Sequence, residues 1–138
     1  LRFFGDAFVD RWLDHERASQ MTRVGSARRH GISVALHSDL PMGPLQPLLA
    51  ASIMATRASM SGEVLGPEER LTPEDALAAV TIEAAWQLRL DHEVGSLAAG
   101  KQADLVALAD DPLDLDPADW PDIPIRATVL GGEVYTVG

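Results

Sequence analysis

Ten residues, Ile32-Ser-Val-Ala-Leu-His-Ser-Asp-Leu-Pro41, narrow the fold more than any other stretch. Gly31 opens the run, residues 32–36 read as a buried strand, and the chain then stops on His37-Ser38-Asp39 before Pro41. A short, continuous apolar run bounded by turn residues suits a parallel strand covered on both faces. In α/β barrels the carboxyl ends of such strands carry the chemistry. Asp39, an ionisable group at such an end with His37 just before it, is therefore a candidate functional residue. The plain alternative is an Asx turn or helix cap in the proline-rich loop that follows. His37 reads either as a hydrogen-bond partner behind Asp39 or as a satisfied histidine at a strand end.

The flanks follow the same α/β logic. Phe3, Phe4, Phe8 and Trp12 recur at helix-like spacing and read as a docking helix or loop. Residues 16–30 read as a helix, with Arg28, Arg29 and His30 in its last turn and Gly31 as its stop. After Pro41, Pro44 and Pro47 a helix starts near Pro47, where a missing N–H costs nothing, with Leu49, Ile53, Thr56 and Met60 on one face. The clearest helix is 73–88. Thr72 is its N-cap, Pro73 its first residue, Asp75 the acid of a capping box, and Leu77, Val80, Ala84 and Leu88 its stripe.

The pattern changes after Asp91. Gly95 and Gly100 bracket a turn into a strand at 103–108, and a proline- and aspartate-rich loop spans 110–124. Residues 125–130, the Gly131-Gly132 turn and 133–137 read as a hairpin. Two units follow: 1–93 and 94–138.

Composition removes several functions. The formal net charge of -10, with Lys101 the one lysine, repels phosphate backbones and anionic membrane surfaces. Nucleic acid and membrane are therefore not expected partners. Without cysteine there is no disulfide, thiolate zinc site or cysteine nucleophile. With neither a membrane-length apolar run nor a signal peptide visible, a cytoplasmic location is expected. Gly95-Ser-Leu-Ala-Ala-Gly-Lys-Gln102 nearly matches a phosphate-binding loop. That loop needs Ser or Thr after the lysine and a helix after that, whereas Gln102 and a strand follow here. The aspartates of 110–122 lack EF-hand spacing and read as a solvated loop. His15 and His92 have no partners at metal-ligand spacing, so a complete metal site cannot be assembled from recognised spacings in this chain.

Three segments together carry a resemblance. His37-Ser-Asp-Leu-Pro41 followed by Pro47-Leu-Leu resembles the end of the barrel in metal-dependent amidohydrolases, and looks most like the branch of N-substituted formamide deformylase. Glu69-Arg-Leu-Thr-Pro-Glu-Asp-Ala-Leu-Ala-Ala-Val-Thr81 resembles the helix that follows in that superfamily. Gly95-Ser-Leu-Ala-Ala-Gly-Lys-Gln-Ala-Asp-Leu-Val106 is very like its C-terminal signature, and Ala127-Thr-Val-Leu-Gly-Gly-Glu-Val134 like its closing hairpin. The resemblance implies an α/β fold of partial extent: the last βα units of a TIM-type barrel at 1–93, then strands of a composite β-sandwich at 94–138. It implies that Asp39 binds a divalent metal, zinc in the parent enzyme. Asp39 would also act as general base toward the attacking water, with His37 supporting it.

The superfamily's His-x-His pair, its bridging lysine or carboxylate and its two middle-strand histidines have no counterparts here. A full barrel needs at least about 200 residues. The expectation is a C-terminal part of a larger hydrolase of non-peptide C–N bonds, amide or formamide, inactive and possessing no cofactor by itself, whose parent takes a small-molecule amide. Exposed apolar edges would favour self-association. The rival expectation is a noncatalytic module that binds a partner, or a second copy, through the surface an intact barrel would bury.

Overall fold

The computed structural model describes residues 1–136. Short helices dominate up to Gln87, and a three-stranded antiparallel sheet closes the described chain. Helix α1 (Gly5–Ala7) runs into a π-helical turn at Phe8–Trp12. Helices α2 (His15–Ser19) and α3 (Val24–Arg29) replace the single helix expected over 16–30. The break falls at Thr22, whose φ of +53° is outside any right-handed helix. His30 caps α3, its Nδ1 lies 2.8 Å from the Ser26 carbonyl, and Gly31 turns the chain out at φ +73°.

Helix α4 (Pro47–Thr56) starts at Pro47 as expected. It ends at Arg57, which adopts φ +56°, so Met60 lies beyond the helix and is exposed. Its buried face is Ala51, Ser52 and Ala55 instead of the larger residues. Helix α5 (Pro73–Ala79) has the expected cap: the Asp75 N–H donates to Thr72 Oγ1 at 3.1 Å. The helix expected over 73–88 divides at Thr81, and α6 (Ile82–Gln87) follows. The Thr81 hydroxyl donates to the Leu77 carbonyl at 2.7 Å, the backbone-competing bond that favours a helix end. Leu88 is exposed, and the buried residues are Ala76, Ala79 and Ala85.

The sheet matches expectation closely. β1 (Leu105–Leu108) pairs with β2 (Ile125–Leu130), and β2 with β3 (Glu133–Thr136), both antiparallel. Gly131 and Gly132, at φ +57° and +86°, make the two-residue turn that needs positive φ at both positions. Residue 137 of the expected hairpin lies outside the described residues.

The core is shared by α4, α5 and the segment between β1 and β2. Ala51, Ala55, Leu71, Ala76 and Ala79 surround Trp120 and Ile123, with Leu36, Leu77 and Val80 packed against them. Trp120 is completely buried, and its Nε1–H donates to the Pro112 carbonyl at 2.7 Å. Segment 110–124 is therefore more than a solvated loop. Asp111 and Asp116 accept the N–H groups of Leu113 and Ala118, both at 2.9 Å, and so cap short 3-10 turns at Pro112–Asp114 and Pro117–Asp122.

Two buried charged groups knit the helices together. Glu69 accepts the Ser26 N–H at 2.6 Å and also the Ser26 hydroxyl, and it faces Arg23 and Arg29 at 3.6 and 3.5 Å. Burial pushes the Glu69 carboxyl up. The Ser26 hydrogen bonds and the two guanidinium charges outweigh that and hold it below its ordinary value. Arg57 is fully buried and donates to the carbonyls of Leu65, Thr22, Met21 and Ser19. Much of the sheet's apolar surface is uncovered: Val106, Ile125, Leu130 and Val134 are all exposed.

Candidate active site

Residues 32–36 form no regular element and join no sheet, in contrast to the strand expected there. A strand is defined by a ladder, and among the described residues nothing pairs with this segment. Its hold on the fold includes a backbone bond from the Leu36 N–H to the Ala79 carbonyl at 3.0 Å, at the end of α5. The segment nevertheless brings His37, Ser38 and Asp39 to the lining of one cavity. Asp39 turns the chain at φ +54°, a region that aspartate tolerates better than most residues. Its N–H donates to His37 Nδ1 at 3.0 Å. That role needs an unprotonated Nδ1, so in the neutral ring the proton sits on Nε2.

The two candidate residues thus meet, both exposed, at the wall of a cavity of about 260 Å³. Leu36, Met42, Ile53 and Met54 supply part of its apolar lining, and Arg2, Phe3 and Phe4 close another side. The N-terminal aromatics were legible only as a packing segment. Their place at this cavity is set by tertiary contacts such as the Met60 N–H to the Arg2 carbonyl at 3.0 Å. Gly43 sits where a Cβ would come within 2.8 Å of the Ser38 carbonyl oxygen, so the loop closes tightly over the segment. A second depression, of about 220 Å³, lies between His37, Leu45, Gln46 and Val80.

As metal donors, Asp39 offers a carboxylate and His37 an imidazole whose Nδ1 is already engaged. Among the described residues no three His, Cys, Asp or Glu side chains converge to hold an ion. A catalytic zinc site takes three protein ligands and one open position. The donors present fit one position of such a site and leave the others to residues outside this set. His15 and His92 stand apart, paired with Glu63 at 3.3 Å and Glu93 at 3.2 Å. Lys101, in the loop resembling a phosphate site, donates to Ser96 Oγ at 2.7 Å and the Val94 carbonyl at 3.2 Å. It serves to close the turn that leads into β1.

The whole-chain comparison decides the family. Residues 1–135 match the model of the amidohydrolase family. The chain belongs to this family. It is similar to imidazolonepropionase of Pseudomonas entomophila, 40% identical over 119 residues, which covers 86% of this chain and 28% of the relative. The imidazolonepropionase of Pseudomonas putida strain F1 is 39% identical over 121 residues, with the same coverage. Among solved structures, an amidohydrolase from Thermotoga maritima superposes with a TM-score of 0.63 at 22% identity, over 91% of this chain and 27% of that one. The chain therefore spans little more than a quarter of the length of these relatives. The fold class is a mixed α/β arrangement with a small antiparallel sheet, similar to part of an amidohydrolase. The resemblance to the formamide deformylase branch is not among these matches. No described helix is long and apolar enough to cross a membrane.

Proposed function

We propose that this chain contributes the Asp39 corner of the active site of a metal-dependent hydrolase that cleaves C–N bonds in small amides, cyclic amides included. The observation that carries the reading is the Asp39–His37 turn at the wall of a cavity, in a chain of the amidohydrolase family. Residues 1–93 then form the closing part of a barrel and 94–138 the strands of a sandwich. A divalent ion, zinc in this reading, supplies a Lewis acid that polarises the carbonyl and makes water acidic enough to attack. Asp39 occupies one ligand position and takes the proton from the attacking water, then gives it to the departing nitrogen. His37 holds the Asp39 backbone in its turn. The substrate is bounded by the Phe3, Phe4 and Met42 side of the cavity. The imidazolonepropionase relatives favour a cyclic amide, and the resemblance at 37–41 favours a formamide. Both are C–N bonds open to the same attack.

The test is a chimera in which this chain replaces the matching segment of the Pseudomonas entomophila relative, assayed on that enzyme's own substrate. The chimera should be active, and Asp39→Asn should lower kcat by about 10²-fold or more, the contribution of a positioned general base. An Asp39→Asn chimera as active as its parent would refute the role.

A second reading, self-association, is favoured by the uncovered apolar residues of the sheet. A strictly monomeric chain in sedimentation at high concentration would end it.

A further inference from the structure

Segment 33–39 carries the site but belongs to no ladder among the described residues, so something else must fix its course. Side chains of α3, α5 and α6 supply the hold. Glu83 on α6 uses both carboxylate oxygens: one accepts Arg28 Nη1 at 2.7 Å, the other the Ser33 hydroxyl. Arg28 on α3 also donates through Nε to Asp75 on α5 at 2.8 Å. Gln87 Nε2 reaches the Ser33 carbonyl at 3.4 Å, one turn beyond Glu83. The Leu36 N–H then bonds Ala79, at the end of α5. Ser33 is thus one anchored point of the segment, Leu36 the next, and Asp39 follows six residues after Ser33, where its carbonyl accepts the Met42 N–H at 2.7 Å. Glu83 is mostly buried, at 20% side-chain exposure, and its partners hold its carboxyl below the ordinary value, so it stays charged and doubly bonded near neutral pH.

We propose that Glu83 is a positioning residue of this site: through the Ser33 hydroxyl it fixes segment 33–39 and so sets where Asp39 presents its carboxylate. The proposal rests on the reading of Asp39 as a metal ligand. Residues that orient a metal ligand from behind are ordinarily side chains bonded to the ligand itself. Here the hold acts on the Ser33 hydroxyl, six residues upstream. Removing it leaves the Asp39 side chain chemically unchanged and spreads its positions.

The experiment is amide NMR of the full chain with added Mn²⁺, whose paramagnetism broadens signals near a bound ion. In the unmodified chain, broadening centres on Asp39. Ser33→Ala and Glu83→Ala should shift the amide signals of His37 to Asp39 and weaken the Mn²⁺ effect about tenfold, the low end for loss of an orienting residue. Ser33→Thr keeps the hydroxyl and should restore both. A merely structural role would lower the melting temperature with these signals and the Mn²⁺ affinity unmoved, and that result overturns the proposal. So does Ser33→Thr behaving like Ser33→Ala. If Glu83→Ala fails to fold, Ser33→Ala decides, since it removes only one hydroxyl. If the unmodified chain shows no broadening at Asp39, the amide shifts of His37 to Asp39 alone uphold or overturn the hold exerted by Glu83, and the metal reading stands or falls separately, on the metal content of the chimera and its Asp39→Asn variant.

Discussion

Trp120 offers the sharpest test of how the chain is held together. Replacing it with alanine removes a fully buried ring from the packing of α4 and α5. A buried tryptophan withdraws about 150–250 Å² from water, worth about 4–6 kcal/mol at about 25 cal/mol per Å². Measured large-to-small replacements, which include the cavity left behind, fall at about 3–5 kcal/mol. The bond to the Pro112 carbonyl adds about 1 kcal/mol, so Trp120→Phe should cost roughly 1–2 kcal/mol and separate the bond from the volume. Urea unfolding is the assay. With a slope of about 2 kcal/mol per molar, Trp120→Ala should lower the midpoint by about 2 M. Far-UV circular dichroism reads these midpoints, since the substitutions remove the Trp120 fluorophore. With Trp120 in place its emission is a second probe, because Trp12 and Trp86 are 62% and 57% exposed and only Trp120 sits in a dry environment. In a Trp12→Phe, Trp86→Phe background the native emission should be blue-shifted and move red in one step with unfolding. A Trp120→Ala midpoint within the roughly 0.5 kcal/mol scatter of surface changes would refute the placement of Trp120 in the core.

Two further results are expected. At Gly25 an added Cβ would stand 2.8 Å from the Glu69 backbone, which cannot swing aside as a side chain would. Gly25→Ala should therefore destabilise by about 1–3 kcal/mol in a thermal melt, although alanine is the better helix former. Acid should destabilise the chain, because Glu69 and Glu83 are both held below their ordinary value of 4.5. Between the folded and ordinary values the unfolded chain binds more protons, so this stability is complete above about pH 4.5 and is lost as pH falls through the folded values. Urea midpoints from pH 7 to pH 3 should show the decline, and Glu69→Gln together with Glu83→Gln should flatten it.

What could be read from the sequence was local. Thr72 and Pro73 announce a helix start because the cap and the first turn are satisfied by neighbours. Gly131-Gly132 announces a hairpin because few other residues accept two positive φ angles in a row. The residues that place the site are long-range. Ser33 and Glu83 lie 50 positions apart, and Ser26 and Glu69 lie 43 apart. No spacing rule links them. Segment 32–36 reads as a strand because its apolar content is that of one, yet a strand also needs a partner, which composition cannot supply. Trp120 was hidden by the aspartates and prolines around it, which signal a wet loop although they cap the turns that carry the ring inward. Asp39 and His37 were legible as candidates, and their mutual bond follows from a two-residue spacing. The cavity wall of Phe3 and Phe4 was not, since aromatics at helical spacing look the same in a core and beside a site.

The central claim is that Asp39 is one ligand of a metal centre completed by residues beyond this chain's own donor set. Elemental analysis of the purified chain, of the chimera and of its Asp39→Asn variant tests it most directly. The account predicts a stoichiometric divalent metal in the chimera, and well under one equivalent in both the chain alone and the variant. A full equivalent in the chain alone, or in the Asp39→Asn chimera, would contradict it.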